Sequence, residues 1–322
     1  MSAIQQADLQ RMRDQLFFEG PEMVRRLTRF WLLLPLSAVI AAAGVVSDST
    51  ATVIGAMIVA PLMTPILGVV LGVVLGDGSN LRRCLLLLLT GAIVVVGLAW
   101  VLGLFIPYPV VAATSSQVAS RISPRLVDLV AALATGAVGS VALARSDISD
   151  TLPGVAIAIS LVPPLAVVGL ALESGAFHQA LGALLLFITN VLAILASGIV
   201  VMGIYRIRQT ATGTASRHLL ASVVVCILLL AVMVPLWTNS QRFDQVNIRL
   251  TGVEAVASQW ASASGWSLLG VSNVDNKVLI DVTGENTAPS LSELRKKLDA
   301  AGLSNEDVRV QFLTGQFLPV PK

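Results

Sequence analysis

Hydrophobic residues in this chain gather into seven long blocks, separated by short polar stretches and followed by one extended polar region. A hydrocarbon core ~30 Å thick is crossed by about 20 apolar residues in helical form. Runs of that length without period-two alternation must satisfy their backbone groups internally, which demands helices. The predicted spans are Trp31–Val46, Thr52–Gly76, Cys84–Ile106, Leu126–Ala144, Leu152–Leu172, Ala180–Tyr205 and His218–Leu236. Between Trp31 and Gly76 the single charge is Asp48, and the stretch is too long for one crossing at ~1.5 Å per residue, so a hairpin is expected at Ser47-Asp48-Ser49. Residues 1–30 precede the first block as a cytoplasmic amphipathic segment, with Leu9, Met12, Leu16 and Met23 on one side and arginines interspersed. Arg25, Arg26, Arg29 and the later Ala41-Ala42-Ala43-Gly44 mimic a secretory signal, but some thirty residues before the apolar stretch are long for its basic region.

The polar region 243–322 has a different rhythm. A helix around Val253–Ala263 is expected, then a hairpin of Trp266–Val271 and Lys277–Thr283 turning at Val274-Asp275-Asn276. Val278, Ile280 and Val282 alternate as a half-buried strand does. Ser290 and Glu293 have the spacing of a capping box. Leu291, Leu294 and Leu298 form a helical face that Gly302 ends, and Val308, Val310 and Phe312 give a last strand. The predicted fold is thus an all-α polytopic membrane protein with a small C-terminal α+β domain.

Composition agrees: 55% of the 322 residues are apolar, 12% are charged, and mean hydropathy is +0.83. A water-soluble domain carries roughly a quarter charged residues. The net charge of +2 comes without a basic, aromatic-interleaved patch, so nucleic acid is not an expected partner. Cys84 and Cys226 lie in apolar runs, His178 and His218 are far apart, and no phosphate loop, nucleophile elbow or metal-ligand spacing occurs. No enzyme activity and no cofactor are expected. Short loops on the N-terminal side carry eleven Lys and Arg against two on the other. The positive-inside rule then puts the N-terminus in the cytoplasm of a multi-pass protein of the inner or plasma membrane, with the C-terminal domain outside.

A repeat organises the membrane region. Shifted by 99 residues, Ser47-Asp48 falls on Ser146-Asp147, Thr52 on Thr151, Gly55 on Gly154, Pro65 on Pro164 and Gly76 on Gly175. Each unit, 31–106 and 126–205, holds three predicted spans. An odd number of crossings makes the second copy enter from the opposite side, giving the inverted repeat found in many secondary transporters. The middle span of each unit carries prolines: Pro61 and Pro65 in one, Pro153, Pro163 and Pro164 in the other. Proline removes a helical hydrogen bond, and matched broken helices point to a transport site; kinks that serve packing are the competing reading. The candidates are Gly55, Pro61, Thr64, Pro65, Gly154, Ser160, Pro163, Pro164 and Asn190, with Met57–Pro65 and Ala156–Pro164 expected to face each other.

Asp48 and Asp147 precede the middle spans, where a carboxylate caps a helix or handles an ion. Thr90 and Thr189 line a path or bond between helices. Asp128 is expected to pair with Arg121 and Arg125. Gly68, Gly72 and Gly76, and Ala132, Gly136, Ser140 and Ala144, form small-residue faces for contact within the chain or in a homo-oligomer.

The two proline-containing stretches, Val53–Ile66 and Pro153–Pro164, resemble those of the DUF389 family of bacterial membrane proteins, over approximately Pro35 to Gly198. The resemblance implies a multispanning membrane protein and carries no activity or catalytic residue. Two functions remain open: a secondary transporter or channel for a small ion or small polar solute, or a non-transporting scaffold or sensor whose external domain binds a partner.

Overall fold

A computed structural model describes residues 6–144, 161–205, 252–274, 277–284, 288–303 and 307–313, with four single positions between 223 and 250. It divides into two compact units, Met1–Asn239 and Ser240–Lys322. Helices α1 (Gln6–Leu16), α2 (Met23–Val46), α3 (Thr50–Val59), α4 (Met63–Leu75) and α5 (Gly78–Gly103) build the first half of the larger unit. Helices α6 (Ser116–Ala119), α7 (Leu126–Ala144), α8 (Val162–Glu173) and α9 (Phe177–Ile204) build the second.

Four of these helices, α2, α5, α7 and α9, are long and apolar enough to cross a membrane. The pair α3 and α4, bent by 47°, makes a fifth candidate as one broken span. The fifth predicted span is described only in its second part, α8, and the seventh lies almost wholly outside the described residues, as do Asp147, Gly154 and Ser160. Bilayer suitability is written on the exterior: Ile93, Val130, Leu181 and Val200 are each more than 60% exposed. Water would penalise such a surface at about 25 cal/mol per Å² of apolar area, whereas lipid tails do not.

Small residues decide how these helices meet. On α2, Ser37, Ala38, Ala41, Ala42 and Gly44 are buried while Leu32 and Leu36 face out. Gly68 faces Cys84, Gly72 faces Leu81, and Gly136 on α7 faces Ile194 and Ser197 of α9. Both predicted small-residue faces are therefore used for contact within the chain. Gly76 ends α4 at φ +72°, and Gly175 follows α8 at φ +70°, a conformation natural to glycine.

The repeat offset recurs in the architecture. Helix α8 starts 99 residues after α4, α9 starts 99 after α5, and Gly175 follows Gly76 by the same interval. Packing across the halves is reciprocal: Val70 of α4 lies against Gly198 of α9, and Ala99 of α5 lies against Gly169 of α8. Each residue of the second pair is the 99-shifted counterpart of one in the first.

The expected hairpin turn exists, but Asp48 does not cap α3. Ser49 does, accepting from the Thr52 N–H at 3.3 Å. Asp48 sits at φ +52° and reaches across to α6, accepting from Ser115 Oγ (3.1 Å), Ser116 Oγ (2.9 Å) and the Gln117 N–H (3.0 Å). These bonds, led by the Gln117 amide, hold its carboxyl below the usual 3.8. A depressed carboxylate stabilises above its unfolded value and loses that contribution as pH falls through its folded value. The Gln117 amide should therefore lose hydrogen-exchange protection as pH drops below 3.8, whereas Asp48→Asn should abolish this acid-dependent change.

In the smaller unit, a helix over 252–263 precedes β1 (Ser267–Val274), β2 (Lys277–Thr283), a helix α11 (Leu291–Ala300) and β3 (Val308–Leu313), so the 252–263 helix is α10. Strand β2 is central, antiparallel to β1 and parallel to β3. Val278, Ile280, Val282, Leu294 and Leu298 are buried with Trp260 and Trp266, whose rings meet Phe312. Two expectations fail here. The capping box is not formed: Ser290 Oγ bonds Ser292 Oγ at 2.7 Å, and the Ser290 carbonyl accepts from Trp260 Nε1. Leu291 is 54% exposed, because the face that meets the sheet is set by Leu294 and Leu298 alone.

Candidate functional site

Pro61 has no N–H, so the carbonyl of Met57 loses its helical donor and the chain breaks over Ala60–Leu62. Pro65 plays another part: it lies in the first turn of α4, where a missing N–H is harmless. Pro163 and Pro164 stand in the first turn of α8 in the same way. Helices α4 and α8 both begin after a leucine that provides no side-chain cap, while α3, α5 and α6 are capped by Ser49, Asp77 and Ser115. First-turn prolines account for that difference, because they delete donors that a cap would otherwise satisfy.

A cavity of about 580 Å³ opens at the break. Met57 to Pro61, Met63 and Thr64 form one wall, and Leu161 and Val162 at the start of α8 reach it from the second half. Arg25, Arg26, Arg29, Phe30 and Leu33 of α2 and Asp14, Gln15 and Phe18 complete it. The two proline regions expected to face each other thus share one cavity. Of the sequence candidates, Pro61 and Thr64 line it, Pro65, Pro163 and Pro164 are buried and do not line it, and Gly55 is not among its lining residues. A side chain at Gly55 would meet open space, so this glycine serves no close approach among the described residues.

Asn190 belongs elsewhere. It is 3% exposed and borders a smaller polar cavity of about 140 Å³ with Ser120, Arg121, Asp128, Ala131, Ala132 and Leu186. Asp128 and Ala132 are the 99-shifted counterparts of Arg29 and Leu33, so the two cavities share two positions under the repeat offset. Asp128 accepts from the Arg125 N–H at 2.8 Å and lies 4.0 Å from its Nε. Arg121 instead turns to Gln117, bonding its carbonyl and its Oε1. Thr90 and Thr189 donate to the carbonyls of Leu86 and Leu185 on their own helices, so their hydroxyls are spoken for.

The arginines of α2 are the site residues that sequence reasoning missed. Arg25, Arg29 and Leu33 recur every four residues and so share a face of α2, but a charge at the mouth of a span reads first as an orientation signal.

Residues 57–196 match the family model of DUF389, described as a domain of unknown function. Over that stretch the chain is similar to the domain. The matched residues hold the break, α4, α5, α7, α8 and most of α9; Arg25 to Arg29 precede them. An uncharacterized protein of Methanocaldococcus jannaschii is 32% identical over 196 residues, covering 61% of this chain and 60% of that protein. The aligned stretch therefore spans less than two thirds of the curated relative. No solved structure matches.

Proposed function

We propose that this DUF389 protein is a secondary transporter or channel for a small ion or small polar solute, working around the break between α3 and α4. The reading rests on one observation: residues from the middle helices of both repeats line a single cavity at a proline-broken span. Non-helical backbone at membrane depth is tolerated where it lines a wet cavity, and such interruptions in paired repeats accompany substrate sites. The proposal includes an inverted relation of the two repeats, a cytoplasmic N-terminus, a seventh span at His218–Leu236 and an external C-terminal unit. The wall at the break itself, Met57 to Pro61, Met63 and Thr64, carries no fixed charge, which suits a small solute, since a charge there costs several kcal/mol.

Full-length protein in liposomes should pass at least one of KCl, potassium phosphate and glycerol faster than protein-free liposomes, followed by light scattering. Pro61→Ala returns an N–H to the Met57 carbonyl and should slow that permeation at least tenfold while leaving the size-exclusion profile unchanged. Equal rates in the variant and wild type, or no permeation by wild type, would sink the reading.

The second reading is a scaffold or sensor. It is favoured by the compactness of the 240–322 unit, which has its own aromatic core. Under it, deleting 243–322 removes the cellular phenotype although no solute passes in liposomes.

A further inference from the structure

The cavity at the break is bordered by three cations and one acid: Arg25, Arg26 and Arg29 against Asp14. Arg26 is anchored, its Nη1 donating to the Phe17 carbonyl at 2.8 Å, which leaves its other donors free to turn inward. Arg25 pairs with Glu22 at 2.9 Å on the outer rim. Arg29, one helical turn further along α2, has no ion pair or hydrogen bond among the described residues. Asp14 is engaged by Gln10 Nε2 at 3.3 Å. The remaining wall is mixed, with Phe18, Phe30, Leu33, Met57 and Ile58 beside Gln15 and Thr64; Arg29 is exposed and Arg26 half-buried.

We propose that this cavity binds an oxyanion of the phosphate class, held by Arg29 with Arg26 behind it and Arg25 at the rim. Guanidinium presents paired donors that match two oxygens of a phosphate. The competing feature is the freed Met57 carbonyl, which favours a cation. It is a single dipole facing the one positive charge left in excess once Arg25 is paired with Glu22 and Asp14 is set against Arg26 and Arg29, so the balance goes to an anion. First-turn prolines strip donors from α4 and α8, which makes the arginines and not the helix ends the binding groups. A shallow groove along Arg25, Thr28, Arg29, Leu32 and Leu33 adjoins the cavity on the exposed face of α2. The same phosphate chemistry can therefore arrive as a free anion or as the headgroup of an anionic lipid with its chains along Leu32 and Leu33.

The inference deepens the transport reading by naming a charge class, and it rests on that reading for its meaning in flux. Its test needs no flux. Full-length protein in phosphatidylcholine nanodiscs is assayed for equilibrium binding of radiolabelled inorganic phosphate and of rubidium. A parallel set retains phosphatidylglycerol, counted by native mass spectrometry. Arg29→Gln should weaken phosphate binding, phosphatidylglycerol retention or both at least tenfold, while Arg29→Lys keeps more than Arg29→Gln does. Loss confined to phosphate assigns a free anion; loss confined to phosphatidylglycerol assigns a headgroup. Equal binding of both probes by wild type and Arg29→Gln, or saturable rubidium binding that the substitution leaves intact or strengthens, overturns the proposal. Phosphate binding without permeation would leave the proposal standing and the transport reading fallen.

Discussion

Gly169→Leu should destabilise the larger unit by at least about 3 kcal/mol, the upper part of the range for forcing bulk into a packed interface. A Cβ at Gly169 would overlap the Val96 carbonyl oxygen and stand 2.7 Å from Ala99 Cβ and 2.8 Å from the Trp100 amide nitrogen. Two of these are backbone atoms of α5, which no rotamer change can move. In lipid, helices hold together through close van der Waals approach, with little hydrophobic drive between them. Separating α8 from α5 therefore removes one of the main contacts that join the halves. Gly198→Leu should behave alike, since its Cβ would stand 2.9 Å from Ser140 Oγ and 3.0 Å from Val70, the 99-shifted form of the same contact. Gly97→Ala, with nothing within 4 Å, should be neutral or gain up to about 1 kcal/mol of helix propensity. Thermal unfolding in detergent measures all three. Should Gly169→Leu melt within a degree of Gly97→Ala, the reciprocal packing is not what holds the halves.

The long spans were legible because hydropathy reports burial in lipid and in protein alike. Leu126–Ala144 falls on its predicted bounds, and α9 differs from its prediction by three residues at the start and one at the end. The helix starts of α2 and α5 lie earlier than the apolar blocks, at Met23 and Gly78. Polar residues there are still helical, and a hydrophobic count cannot see them. The offset of 99 was visible in identities, yet the pairing of Val70 with Gly198 was not, since sequence similarity tells which positions correspond and not which ones touch. Pro61 and Pro65 look equivalent in sequence. Only the backbone separates a proline that breaks a helix from one that begins the next. Asp48 was misassigned because its partners lie 67 to 69 residues away, beyond any local capping rule. At Ser290 the local rule applied and lost, since a tryptophan and a neighbouring serine claimed its oxygens.

Phe17→Ala should release the N-terminal helix from the bundle. Helix α1 packs on α4 and α7, and its apolar side together with the two residues after it is deeply inserted: Met12 and Phe17 are 0% exposed, Leu16 5% and Phe18 3%. The Leu16 carbonyl lies so near Gly68 that a Cβ there would stand 3.2 Å from it. Polar ties surround this wedge. Arg13 reaches Asp77 at 3.2 Å, Asn80 Nδ2 bonds Glu19 and Asp77, and Arg11 donates to the Leu143 carbonyl. The one ion pair among these, Arg13–Asp77, is only partly buried and such pairs contribute roughly 0–1 kcal/mol, whereas truncating a buried phenylalanine costs about 3–5 kcal/mol. A helix of 11 residues does not hold its shape alone, so losing the phenyl anchor should unfold α1 and leave the long apolar helices in place. Asp14, Gln15 and Phe18 would leave the cavity wall with it. Limited proteolysis should then cut before Gly20 at least tenfold faster in Phe17→Ala, with Arg13→Ala close to wild type. Under the transport reading, permeation should rise in the same variant, because the segment that narrows the cavity has been withdrawn. Unchanged cleavage in Phe17→Ala would mean that the polar ties hold α1 by themselves.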